Sequence, residues 1–198
     1  VDNNWADDVY FDTFKDFAIW NDVCVKETGI CGLKELNWLA EPIQLKIFRL
    51  GRLQFQSTIT EEDYTYNDIL IPKGSKAYNI HIPAGEPLNE NACTQSYDSA
   101  TTFFSSESII CLCSSWLLSP VLDELLPSSS NILRFKSRYK IISVNPENRS
   151  AERYLFGSIE DDIQKYKPTS SFAAKVKQRL EKGMPIGSAF GIYLHRSR

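Results

Sequence analysis

Residues 77–116 read AYNIHIPAGEPLNENACTQSYDSATTFFSSESIICLCSSW, and the order of patterns in this stretch decides the fold. AYNIHIP (77–83) reads as a strand, closed by Pro83, Gly85 and Pro87. Asn89 is a good helix N-cap, after which Cys93, Tyr97, Ala100, Phe103 and Phe104 mark out a helix. SIICLCSSW (108–116) is apolar on both faces, which is how a central, buried strand reads. Strand, helix, strand predicts a crossover between neighbours of one sheet.

Upstream, Asp12 or Thr13 caps a predicted helix through Phe14, Phe17, Ala18, Ile19 and Val23, stopped by Gly29. A second short helix carries Leu33, Leu36 and Leu39 on one stripe and is expected to end before Pro42, since the residue ahead of a proline avoids helical angles. LKIFRL and RLQFQSTIT flank Gly51 as a hairpin, and EEDYTYN (61–67) reads as loop. Downstream come helical material at 119–126 and 131–135, a strand in KIISVNPE, a short helix in SAERYLFG, an amphipathic helix at 170–182 and a last strand, AFGIYLH. The sum is an α/β (α+β) domain whose mixed sheet is covered on both faces.

Composition supports one compact domain over 1–198. The chain has 198 residues, 12% aromatic and 24% charged, with a net charge of −3. That is too aromatic for disorder and a poor match to a polyanion, so no nucleic-acid partner is expected. The longest apolar runs fall far short of the roughly 18 residues a membrane span needs, so no membrane partner is expected either. Val1 in place of Met and the lack of an n-region and h-region predict a trimmed chain or a piece of a longer one, with no secretory signal. Five cysteines without framework spacing point to a reducing cytoplasm.

IFRLGRLQF (47–55), NIHIP (79–83), CSSWLL (113–118) and SNILRF (130–135) resemble, in this order, signature segments of a bacterial acyltransferase-like family with a GNAT-like C-terminal domain. The resemblance runs from about Tyr10 to the C-terminus. It implies a GNAT-like, mostly antiparallel central sheet. It also implies an acyl-CoA-dependent N-acyltransferase, with acetyl-CoA or another acyl-CoA as cofactor and a small-molecule or peptide amine as acceptor. Family members carry a helical N-terminal domain, expected to be missing here and to be a partner in the full-length protein. In GNAT enzymes two central parallel strands splay, acyl-CoA enters the gap, and its pyrophosphate rests at the following helix N-terminus, where free N–H groups and the helix dipole favour an anion. PAGEPLNEN (83–91) departs from the glycine-rich basic segment those enzymes use there. Its prolines lack donors, Glu86 and Glu90 repel phosphate, and Gly85 alone makes no continuous nest. The alternative is therefore a non-catalytic binding or assembly module of the same architecture.

His81 is the candidate base, since imidazole accepts a proton near neutrality, and Asn79 shares its strand face; the plainer reading is a histidine satisfying a core or rim hydrogen bond. Cys113, with Cys111 on its face, reads either as a nucleophile activated by His81, as in a hydrolase, or as a small packing residue. Ser115 is a polar residue at the mouth of the gap. Arg134 and Arg138, with Asn131 nearby, are candidate anion contacts for the cofactor, or part of a basic run protecting a strand edge. Arg49 and Arg52 flank the hairpin turn and share that double reading, and Glu61, Glu62 and Asp63 read either as a source of a general-base carboxylate or, more plainly, as a solvated loop. His81 and His195 without paired CxxC spacing predict no metal site.

Overall fold

The computed structural model describes residues 7–33, 35–83 and 86–197. Helix α1 (Asp7–Thr28) begins before the predicted caps at Asp12 or Thr13, because Asp7 and Asp8 set carboxylates on the positive end of the helix dipole. Gly29 stops it at φ 74°. Helix α2 (Leu36–Ile43) runs through Pro42 instead of ending ahead of it. So near the C-terminus the proline forfeits a single donor, and its carbonyl still accepts from Leu45 N.

Strands β1 (Ile47–Leu50) and β2 (Leu53–Ile59) form the hairpin expected around Gly51. EEDYTYN is not plain loop: β3 (Tyr64–Tyr66) pairs with β4 (Ile69–Ile71). The turn between them puts Asn67 and Asp68 at φ 45° and 64°, the left-handed pair that a two-residue hairpin requires and that these residue types tolerate. Then follow β5 (Lys76–His81), α3 (Glu90–Phe103) capped by Asn89, and β6 (Ser108–Ser115). A 3₁₀ turn (Trp116–Leu118), α4 (Leu122–Leu125), α5 (Asn131–Lys136) and β7 (Lys140–Asn145) come next. Helices α6 (Ser150–Phe156) and α7 (Ser171–Leu180) precede the last strand, β8 (Ser188–Arg196).

The sheet order is β1-β2-β5-β6-β8-β7, antiparallel except for β5 beside β6, and helices lie on both faces, as the α/β (α+β) reading predicts. Alternation assigns the faces. Phe48, Phe55, Tyr78, Ile80, Cys111 and Cys113 pack with Tyr97 and Ala100 of α3 in the main core. Across the sheet, Gln54 and the backbone of Arg49 bond to Asp16 and Thr13 of α1. On the same side the β3–β4 hairpin sets Tyr64 and Ile71 against Leu112 and Ile192. The segment between β7 and β8 carries α6 and α7 back to the end of β6, where Trp116 meets Tyr154 and Phe172.

Candidate active site

Strands β5 and β6 are bridged at only Tyr78–Cys111 and Asn79–Leu112. Beyond that point β5 continues to His81 on its bonds to β2, and β6 continues to Ser115 on its bonds to β8. Among the described residues no ladder pair joins Ile80 and His81 to Cys113 and Ser114, so the pairing of the parallel strands stops short of their C-terminal ends. Each strand is held from its outer side, by β2 and by β8, beyond the point where the parallel pairing ends.

His81 is the last residue of β5 and faces the α1–α2 side, opposite Gln54 and beside Asn79. It is half-buried against Trp38, with ring centroids 4.7 Å apart and nearly perpendicular. Its Nε2 lies 2.9 Å from Gln56 Oε1, and Gln56 Nε2 donates to Glu41 Oε2 at 3.0 Å. A parallel set sits next to it: Trp38 Nε1 and Gln54 Nε2 each donate to Asp16 Oδ2 at 2.8 Å, with Asp16 and Gln54 both buried. Burial lowers the His81 pKa to about 4, against the upward pull of Glu41 and Asp16. At neutral pH the ring is therefore uncharged and its free nitrogen carries a lone pair. Sequence reading does not single out Asp16, Glu41, Gln54 or Gln56. The available signal was the polar alternation Gln54, Gln56 and Thr58 in a strand whose other early positions are apolar.

The other candidates gather at the first turns of α3. Arg134 Nη1 donates to Glu90 Oε2 at 3.0 Å, and Arg138 Nη2 donates to Glu90 O and to Thr94 Oγ1 at 3.2 and 2.9 Å. The Arg138 guanidinium also lies 5.7 Å from the centre of the Tyr97 ring. Asn131 is exposed at the start of α5, which Ser130 caps. The two arginines thus belong to the helix end, not to a strand edge. Two α3 donors, Asn91 N and Ala92 N, are taken by the Asn89 side chain.

Cys113 does not meet His81. Strand alternation puts Cys113 and Cys111 on the α3 face and His81 on the opposite one, and burial pushes the Cys113 thiol up to about 12. A neutral, sealed thiol is no nucleophile at physiological pH, so the hydrolase reading falls. Ser115 Oγ accepts from Leu117 N and caps the 3₁₀ turn that ends β6. Arg49 and Arg52 are buried, not solvated: Arg49 Nε donates to Gly51 O, while Arg52 Nε and Nη2 hold Pro87 O and Glu86 O of the β5–α3 connection. Asp63 Oδ1 accepts from Lys73 N, which pins its loop. Gly85 lies outside the described residues. Among those residues no cluster of three or more His, Cys, Asp or Glu side chains is placed to hold a metal, and no helix is long and apolar enough to cross a membrane. A cavity of about 310 Å³ at the other end of the β5–β6 pair, lined by Ile71, Lys76, Tyr78, Ile109 and Arg196 among others, contains none of these candidates.

The sequence matches the family model described as GNAT-like C-terminal domain over residues 47–193, and that described as N-acyltransferase N-terminal domain over residues 4–45. No curated protein matches. The fold is similar to the crystal structure of an acyltransferase in complex with decanoyl-CoA and teicoplanin, with TM-score 0.79 and 24% identity over 96% of this chain and 59% of that one. It is also similar to an acyltransferase in complex with CoA and 10C-teicoplanin, with TM-score 0.77 and 23% identity over 95% and 58%. A third, an acyltransferase in complex with decanoyl-CoA, gives TM-score 0.78 and 20% identity over 95% and 58%. The present chain spans less than two thirds of the length of these structures.

Proposed function

The chain belongs to the family of GNAT-like C-terminal domains, and from that premise we propose that it transfers an acyl group from an acyl-CoA thioester to the amine of a small-molecule or peptide acceptor. One observation carries the reading: among the described residues the one parallel pair of the sheet is bridged only at Tyr78–Cys111 and Asn79–Leu112, so that beyond Asn79 and Leu112 the two strand ends are no longer paired with each other. A pantetheine arm is an extended chain of amides, so it suits strand edges that lack a partner. The residues at the outer end suit the rest of the cofactor, with Arg134 and Arg138 bringing two guanidiniums to the positive end of α3 and Asn131 beside them. Acyl-CoA, once bound, supplies an activated thioester carbonyl.

His81 is the proton acceptor in this reading. Uncharged at neutral pH, it receives a proton from the attacking nitrogen as the C–N bond forms, and Glu41 and Asp16 favour the imidazolium that results. Free backbone N–H groups along the gap offset the negative charge that develops on the carbonyl oxygen. Ser115 shapes the end of the gap through its cap, and Cys113 contributes packing alone. Residues 1–198 act as one unit, with α1 and α2, which match the N-terminal domain model, supplying the Asp16 and Glu41 side of the site.

A second reading, a non-catalytic module of this architecture, draws on a specific feature. Asn89 fills two α3 donors, and the Glu90 carboxylate already engages Arg134. Calorimetry with acetyl-CoA and longer acyl-CoAs separates the two. The transferase reading expects heat of binding, weakened about tenfold by Arg134→Ala with Arg138→Ala as charge-assisted contacts are lost. Absence of heat with every acyl-CoA would leave the module.

A further inference from the structure

The gap, the α3 terminus and the His81 face do not exhaust the site, because the Gln56 amide is held on both sides. Its Nε2 donates to Glu41 Oε2 at 3.0 Å, and an ionised carboxylate only accepts. That bond fixes which end of the amide is oxygen and turns Oε1 toward His81 Nε2, 2.9 Å away. A carbonyl oxygen has no proton to give. His81 must therefore donate through Nε2–H, which leaves the lone pair of the neutral ring on Nδ1, where no described residue claims it. The Trp38 ring, held by its Nε1 bond to Asp16 Oδ2, packs edge-on against the imidazole and limits its rotation.

We propose that Gln56 and Glu41 are positioning residues that lock His81 in the Nε2–H tautomer and so make Nδ1 the atom that receives the proton from the acceptor amine. The inference rests on the acyl-transfer reading for its chemistry, but its geometric half stands apart. Proton balance is simple: the amine nitrogen forms a bond to the acyl carbon and loses a proton to Nδ1, the C–S bond breaks, and the proton leaves His81 for the departing thiolate. The imidazolium formed in between keeps its Nε2–H bond to Gln56. Glu41 on α2 and Asp16 on α1 are the charged groups acting on it.

The test has two arms that fail separately. Long-range ¹H–¹⁵N NMR of the whole chain near pH 7 should show His81 Nε2 as pyrrole-type and Nδ1 as pyridine-type. The reverse assignment overturns the proposal whether or not the protein turns over any acyl-CoA. In the kinetic arm, Gln56→Leu should lower kcat by roughly 10²-fold with little change in the KM for acyl-CoA, because it removes the constraint on the base and not a cofactor contact. The paired exchange Glu41→Gln with Gln56→Glu keeps a donor facing an acceptor at both bonds. It should restore the wild-type tautomer and most of the activity lost in Gln56→Leu. Unchanged kcat and tautomer in Gln56→Leu, with a native melting profile, sinks the idea; so does failure of a folded double variant to recover either property.

Discussion

At the scale of single residues, environment separates His81 from Cys113 although both sit on the central pair of strands. The imidazole has Glu41 and Asp16 near it, yet burial outweighs them, so the folded protein holds the ring neutral down to a pKa of about 4. The unfolded chain binds that proton near the ordinary 6.5. Between those values the unfolded state carries more protons, so stability is complete above about pH 6.5 and falls as pH drops toward 4, by up to about 3 kcal/mol for this group. Urea titrations at pH 7 and pH 4.5 on wild type and His81→Gln check this: the wild type should lose more stability than the variant, and equal losses would refute it. For Cys113 the expectation is chemical silence. Native alkylation should modify exposed Cys31 and leave Cys113 untouched until denaturant is added. Cys113→Ala should cost about 1 kcal/mol of stability without altering acyl transfer. Fast labelling of Cys113 in the native state would contradict its placement.

At the scale of elements, the joints between strands are less forgiving than the strands. Gly187 precedes β8 at φ 71°, and a Cβ there would stand 2.7 Å from Asn145 O and 2.9 Å from Pro146 Cα. Both obstacles are backbone and cannot swing aside. Gly187→Ala should therefore cost about 2 kcal/mol or more and lower the melting temperature by several degrees, which calorimetry reads directly. Gly183, also at positive φ but with open space around its would-be Cβ, should tolerate alanine better, and a reversed order would overturn the steric account. Elements written in local chemistry were legible in the sequence: the Asn89 cap, the Gly51 hairpin, the apolar run of β6 and the α7 stripe. The β3–β4 hairpin was not, because its turn residues Asn67 and Asp68 lie between runs of three residues each, too short to read as strands. The candidate site was half legible. His81 and the two arginines stand out as residue types, whereas Asp16, Glu41 and Gln56 gain meaning only when α1 and α2 fold onto β2, a contact that no periodicity encodes. The Cys113–His81 pairing fails because neighbouring strands do not make neighbouring side chains: alternation sends the two to opposite faces.

At the scale of the whole molecule, the sheet is two antiparallel halves, β1-β2-β5 and β6-β8-β7, joined by a short parallel seam. Within each half the pairing is long: β2 with β5 runs from Gln54–His81 to Ile59–Lys76, and β6 with β8 runs from Ser108–Arg196 to Ser115–Ala189. Each half is thus rigid up to the edge of the gap, and a ligand entering there meets prearranged donors and acceptors instead of having to open a closed sheet. Occupancy should then act as a missing strand does. Amides of β6 within 113–115 that point away from β8, and those at 80–82 that point away from β2, would acquire partners and slow their exchange with solvent. Hydrogen exchange with and without saturating acyl-CoA should show protection concentrated on those two segments, with little change at the β3–β4 hairpin or at the cavity beside Lys76. The same binding should raise global stability by about 2.7 kcal/mol at a ligand concentration of 100 Kd. Binding seen by calorimetry without protection at 113–115 would mean that the ligand sits elsewhere and that the parting of β5 from β6 is a detail of packing.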